Sequence, residues 1–107
     1  MSDIVTVLDG RSMMNKDQVH DYLIERFNFP SYYGRNLDAL YDLMSTYDQE
    51  DKLIILLIFP EMGIEQMGEY GLKLIETLDL ASHHNPHIDF RMKNHILFNE
   101  SEVFMHD

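Results

Sequence analysis

Two aspartates in the segment FPSYYGRNLDALYDLM, Asp38 and Asp42, are placed where they could bind a cationic partner. On a helix this spacing puts both carboxylates on one face, one turn apart, where they repel each other by about 0.2–0.5 kcal/mol. The helix dipole favours a negative charge near the N-terminus, at Asp38, but it offers little to Asp42. Spacing alone fits a solvated helical face as well as it fits a binding surface.

Aromatic side chains surround these carboxylates. Tyr32 and Tyr33 precede the helix, and Tyr41 lies between the two aspartates. Tyrosine is enriched at protein interfaces, and a charged group matters most where a partner excludes water from it. A carboxylate pair could also serve as the acid and base of a glycosidase, but such pairs flank a cleft, and the chain has no nucleophile elbow, P-loop or dinucleotide fingerprint. The pattern therefore favours protein binding over catalysis.

The charge balance points to the same kind of partner. The chain has 107 residues, enough for one domain, with 19 acidic residues against 8 basic ones and a formal net charge of −11. Phosphate backbones repel such a surface, so we expect no direct nucleic-acid binding. Basic proteins are attracted to it, although acidity can also serve solubility alone.

Residue usage excludes several other classes of site. The chain has no cysteine, which rules out disulfides, thiolate catalysis and Cys-bearing zinc sites. Three histidines cluster in SHHNPH, His83, His84 and His87, but the proline indicates a polar loop, so we predict no metal site and no cofactor. His20 and His106 are expected at the surface. The N-terminal segment lacks signal-peptide features, and the longest apolar run, LIILLIF, is too short to cross a membrane, so a cytoplasmic protein is expected.

Turn residues and helix caps predict the elements of the first half of the chain. Ile4 to Leu8 reads as a strand that ends at the turn pair Asp9-Gly10. A helix begins after Asn15, with Gln18 completing a capping box, and it ends before Phe29-Pro30.

The helix that carries the aspartates is predicted from about Asn36 to Met44. One apolar stripe gives it a buried face: Leu37, Leu40, Tyr41 and Met44. Asp38 and Asp42 lie on the flank of that stripe, and Tyr41 lies at its edge, between the core and the acids.

The second half of the chain completes a sheet. Leu53 to Phe59 has neither charge nor alternation, which is typical of a strand covered on both faces, and Pro60 ends it. A helix is predicted from Met67 to about Ala81, HHNPH as a loop, and Ile88 to Met92 as a third strand. This order predicts an α/β domain with a small three-stranded parallel sheet and crossover helices packed on it. We expect one domain over residues 1–94, followed by a C-terminal tail, residues 95–107, that docks on it or adds a strand.

The segment PSYYGRNLDALYDLM resembles the barstar family, the intracellular protein inhibitors of a secreted bacterial ribonuclease. The order Pro-x-Tyr-Tyr-Gly-x-Asn-Leu-Asp-Ala-Leu-aromatic-Asp is intact. From about Ile4 to Met92 the likeness is only in the order of elements, which fits the small three-stranded parallel sheet and helices of that fold.

The resemblance implies a role for each matched position. The family's inhibitors press an acidic helix and the preceding loop into the nuclease active site. The aspartate matched by Asp42 occupies the site of the substrate phosphate, and the one matched by Asp38 adds a second charged contact. The tyrosine matched by Tyr32 packs beside the nuclease's catalytic histidine, and Gly34 and Asn36 would shape the loop.

The chain also departs from the family pattern. Tyr41 stands where the family often has tryptophan, and Arg35 stands where its best-known member has an acid. A further acidic contact comes from the later helix, where our alignment places Leu80, with Glu76 and Asp79 nearby.

We therefore expect a barstar-like inhibitor, not an enzyme, that is monomeric when free and binds a basic, extracellular-type ribonuclease of the barnase kind. The alternatives are a binding module for a different basic toxin and, more remotely, a carboxylate enzyme. The predicted partner-binding residues are Tyr32, Tyr33, Gly34, Asn36, Asp38, Tyr41, Asp42, Glu76 and Asp79.

Overall fold

The fold comes from a computed structural model that describes residues 3–93. In this part of the chain, a pair of helices connects each strand to the next: β1 (Ile4–Asp9), α1 (Lys16–Phe27), α2 (Leu37–Ser45), β2 (Leu53–Ile58), α3 (Pro60–Met67), α4 (Glu69–His84) and β3 (Ile88–Lys93). A single 3₁₀ turn, Gly10–Ser12, follows β1. The expected C-terminal tail, residues 95–107, lies outside the described residues.

The strands form one sheet in the order β1-β2-β3, and both pairings are parallel. Leu53 of β2 is in register with Ile4 of β1 on one side and with Ile88 of β3 on the other. Parallel neighbours need long crossover connections, and here helices supply them. The predicted α/β class with a three-stranded parallel sheet is confirmed.

The core lies on one face of this sheet. Alternate residues of β2 are buried there, namely Leu53, Ile55 and Leu57, and they pack with residues from every layer of the fold: Leu8, Leu23, Leu40, Leu74 and Leu78. On the opposite face, Val5 and Val7 are exposed. The expectation that β2 is covered on both faces was wrong, because its second face is only half-buried.

Local interactions fix both ends of α1 and the start of α2; the cap at Asn15 and the stop before Phe29-Pro30 were predicted from the sequence, and the cap at Asn36 was not. The Asn15 side chain accepts a 2.9 Å hydrogen bond from the Gln18 N–H at the start of α1. Asn28 ends that helix in the left-handed region, at φ 54°, just before Phe29-Pro30. Asn36 caps α2 by accepting from the Ala39 N–H at 2.7 Å.

The helices after β2 differ from the prediction. Pro60 does end the strand, but it also opens α3, because proline suits the first turn of a helix, where its missing N–H is not needed. Gly68, at φ 62°, separates α3 from α4. Helix α4 continues to His84, so His83 and His84 are helical and not part of the expected loop. Within residues 3–93, no helix is long and apolar enough to cross a membrane.

Candidate functional site

The loop between α1 and α2 presents one tyrosine and buries the next. A turn closed by the Tyr33 N–H and the Pro30 carbonyl (3.0 Å) sets the direction of the two rings. Tyr32 is 81% exposed, whereas Tyr33 is 7% exposed and packs against the Phe29 ring, with the ring centroids 4.7 Å apart. Tyr32 therefore offers a large aromatic surface to a partner, and Tyr33 fixes the loop from below.

Asn36 ties this loop to the helix that follows it. Its side-chain oxygen caps α2, while its Nδ2 donates to the Gly34 carbonyl at 3.2 Å. Gly34 lies so close to α2 that an added Cβ would stand 3.3 Å from the Cβ of Ala39. The loop and the first turn of α2 therefore act as one unit.

Arg35, the cation that breaks the acidic pattern, turns away from α2. Its backbone lies in the left-handed region, at φ 56°. Its guanidinium reaches back to α1, where Nη2 lies 2.8 Å from the Asp21 carboxylate and donates to the Asp17 carbonyl at 3.2 Å. Its positive charge is therefore balanced by Asp21 of α1 and does not lie beside the aspartates of α2.

The amphipathic character of α2 exposes both aspartates. Leu40 and Met44 are buried in the core, so the helix cannot rotate without losing that burial. Asp38, in the first turn, and Asp42, one turn later, are both exposed. Tyr41 is half-buried between the core and the acids, as predicted.

An open groove of about 730 Å³ lies between α2 and α4. It is lined by Leu37, Asp38, Tyr41, Asp42, Lys73, Glu76, Thr77 and Leu80. The later helix therefore brings Glu76 and Leu80 to the same surface as the two aspartates. Asp79 does not line the groove; it lies 3.6 Å from His83 on another flank of α4.

The rim of the groove is fixed by a hydrogen bond between the two helices. The Tyr41 hydroxyl lies 2.6 Å from His84 Nδ1, and the rings meet edge to face at 6.2 Å. This contact depends on the last turn of α4, which the sequence prediction had assigned to a loop.

The groove acids have no counter-ion among the residues that the structure describes. Within residues 3–93, no ion pair involves Asp38, Asp42 or Glu76, whereas Arg35 and Lys73 are paired elsewhere. Lys73 lies in the groove, but its closest carboxylate is that of Glu69, at 3.7 Å. The groove is therefore an exposed acidic surface, held by packed helices, that a cationic partner can approach.

Comparison with known families agrees with this geometry. The family model described as "Barstar (barnase inhibitor)" matches residues 4–95, which include the whole sheet and all four helices. The chain belongs to the barstar family. The resemblance seen in the YYG segment is thereby confirmed over the whole described domain, beyond the segment itself.

A curated relative supports the barstar assignment. This chain is 35% identical over 75 residues to the Bacillus subtilis (strain 168) protein named "Putative ribonuclease inhibitor YrdF". The alignment covers 70% of this chain and 81% of the relative.

Two side chains of this barstar-family domain were missed by the sequence analysis. His20, expected at the surface, is 1% exposed, because it lies beside Val19 on the buried face of α1 and hydrogen-bonds two tyrosine hydroxyls. Asn85 is also buried, and its Nδ2 donates to the carbonyls of Met44 and Tyr47, which closes the C-terminal end of α2. A polar residue on an apolar helical stripe was the available signal for His20. Asn85, after the helix, had none.

The described histidines do not gather into a metal centre. Among residues 3–93, no group of three or more His, Asp or Glu side chains is placed to hold an ion. His83 and His84 instead contact Asp79 and Tyr41, respectively. His106 lies outside the described residues.

Proposed function

We propose that this protein inhibits a basic, barnase-type ribonuclease by placing the carboxylates of the α2–α4 groove in the enzyme's phosphate-binding site. The observation that carries the proposal is a set of exposed acids on one surface of the fold, Asp38, Asp42 and Glu76, that make no ion pair within residues 3–93. Membership of the barstar family, and the name of the relative, support a ribonuclease-inhibitor-like and non-enzymatic role.

The energetics favour charge mimicry over a merely solvated face. Two carboxylates at the i, i+4 spacing repel by roughly 0.2–0.5 kcal/mol on an exposed helix. A cation about 4 Å from one of them, near a protein surface, gains about 4 kcal/mol of Coulomb energy, part of which is offset by desolvation. The standing cost of Asp38 beside Asp42 is therefore small compared with the gain when a cationic site closes over them.

Tyr32 supplies the second element of the interface. Its ring is exposed, while its backbone is held by the turn at Pro30 and by the Asn36–Gly34 hydrogen bond. A rigid aromatic side chain loses little conformational entropy on binding, which is why tyrosine is frequent at interface hot spots. We propose that Tyr32 packs beside the catalytic histidine of the nuclease, with Gly34 and Asn36 setting its position and Tyr41 lining the groove. Because the enzyme would otherwise digest cellular RNA, we propose the cytoplasm as the site of action.

A different basic toxin is the second candidate. Lys73 and the exposed Leu80 also line the groove, so the partner must accept a cation and an apolar side chain beside the acids. A basic toxin whose surface carries an acidic and an apolar patch beside its cations would match that lining. Capture from the same cells followed by identification of a basic nuclease or other toxin would separate the two.

The direct test is a titration of the purified protein into a barnase-type ribonuclease assay. We expect activity to fall with added protein and to vanish near equimolar amounts if binding is tight. The control is the double variant Asp38→Asn, Asp42→Asn, which keeps the shape of the surface but not its charge. Full nuclease activity in a large molar excess of the wild-type protein would reject the barnase-type target.

A further inference from the structure

His20 lies beneath the loop that carries Tyr32, and it hydrogen-bonds two other parts of the fold. Its Nδ1 is 2.7 Å from the hydroxyl oxygen of Tyr33 in the loop, and its Nε2 is 2.6 Å from the hydroxyl oxygen of Tyr70 in α4. The side chain is almost fully buried on α1. One imidazole therefore connects α1, the α1–α2 loop and α4.

A doubly protonated ring could donate to both hydroxyl oxygens, but burial disfavours the charged ring and selects the neutral form. A neutral imidazole offers one N–H and one lone pair, so one tyrosine hydroxyl accepts and the other donates. Burial lowers the pKa of His20, and the nearby Arg35 guanidinium lowers it further. The other charged or titratable groups around the ring are Lys16, Asp17, Asp21, Tyr33 and Tyr70.

Tyr33 is the point at which this interior contact reaches the candidate interface. It is the residue after the exposed Tyr32 and the residue before Gly34, and its own N–H closes the turn on Pro30. Its ring packs on Phe29, which contacts Phe27 at the end of α1. The contact with Phe29 holds the ring by packing alone, and the hydroxyl bond to His20 adds a directional contact.

We propose that His20 is a positioning residue for the partner-binding loop: its hydrogen bond to Tyr33 holds the loop in the conformation that presents Tyr32. The effect on affinity rests on the proposed function, because it requires the loop to touch a ribonuclease. The effect on the loop itself can be measured in the free protein.

The test compares three variants. Tyr33→Phe removes the loop's hydroxyl, His20→Gln removes the imidazole, and Tyr22→Phe is the matched control, since its hydroxyl donates to the Val7 carbonyl of β1, away from the loop. We expect dissociation from the ribonuclease to be about fivefold to tenfold faster for Tyr33→Phe and His20→Gln, and to be unchanged for Tyr22→Phe.

Hydrogen exchange of the free protein gives the readout that a general loss of stability would not move. In Tyr33→Phe and His20→Gln, the amide of Tyr33 should exchange faster relative to the buried amides of α4, whereas Tyr22→Phe should keep that ratio. Uniformly faster exchange over the whole domain in the two loop variants would overturn the proposal, because His20 would then stabilise the fold without positioning the loop.

The wild-type protein supplies a test that needs no variant to fold. The pKa of His20 is lowered from its ordinary 6.5 in the folded state, so its contribution to stability is fully present above pH 6.5 and is lost as the pH falls from there towards the lowered pKa. Protonating this buried ring requires water to reach it, and so requires the covering loop to move; over that range the Tyr33 amide, corrected for intrinsic exchange, should therefore open more than the α4 amides. A constant ratio would overturn the proposal. If the wild-type protein binds no ribonuclease, the proposed function fails, and these exchange data alone still decide the role of His20.

Discussion

Two acidic regions of this molecule differ in how their charges are balanced. On the face of the sheet opposite the core, Asp9 is bound by Arg11 and Asp89 by Arg91, each with a closest contact of 2.8 Å. In the α2–α4 groove, no such pair involves Asp38 or Asp42 in the part of the chain that the structure describes. The charges of the two sheet pairs cancel locally, whereas the groove leaves its carboxylates open to an outside cation.

This difference separates long-range attraction from local recognition. A net charge of −11 attracts basic proteins to the whole surface, and it is screened over about 8–10 Å in ordinary buffers. A docking site needs charges that are exposed, fixed in direction and not already neutralised. Asp38 and Asp42 are exposed and make no ion pair within the described residues. Their direction is fixed because α2 is anchored by the buried Leu40 and Met44 and capped by Asn36.

The largest expected effect comes from neutralising one acid in each region. Asp42→Asn should weaken partner binding by about 2–5 kcal/mol, roughly 30-fold to several-thousand-fold, because it leaves the partner's buried cation without its counter-ion. Asp89→Asn should leave affinity nearly unchanged. Both variants change the net charge equally, from −11 to −10. Calorimetric titration of each variant into the ribonuclease measures the two affinities.

Equal losses of affinity in the two variants would mean that total charge, and not the groove, sets binding. Loss of folding in Asp42→Asn with unchanged affinity of the folded fraction would make Asp42 a structural residue.

A smaller effect is expected from the helix caps. Asn36→Ala and Asn15→Ala each remove one N-cap, at a cost of about 1 kcal/mol in the free energy of unfolding and about 4–8 °C in Tm. Only Asn36→Ala should also weaken binding, because Asn36 holds Gly34 as well as α2. Thermal unfolding and titration of both variants check this. Similar affinities for the two variants would mean that the loop does not depend on its tie to α2.

Local chemistry made much of the fold predictable. The cap at Asn15 is an interaction within one turn of the chain, and the stripe of α2 follows from helical spacing, so both could be predicted from the sequence. The cap at Asn36 is equally local but was not predicted. The start of α3 was missed because Pro60 ends a strand and begins a helix with the same residue.

Tertiary packing decided what the sequence could not. Three glycines around the α3–α4 junction lower helix propensity, yet Gly71 packs so closely that an added Cβ would stand 2.9 Å from the Gly63 carbonyl oxygen. In the candidate site, too, tertiary contacts decide which side chain is exposed. Tyr32 and Tyr33 are adjacent and identical, and only the turn at Pro30 and the partner at His20 distinguish the exposed ring from the buried one.

The most direct test of phosphate mimicry is a competition between this protein and a nucleotide for the ribonuclease. If the groove carboxylates occupy the phosphate-binding site, the apparent Kd should rise in proportion to the concentration of a nucleoside 3′-monophosphate, and the nucleoside without its phosphate should compete far less. A ternary complex of enzyme, nucleotide and this protein, with an apparent Kd that the nucleotide does not change, would contradict it.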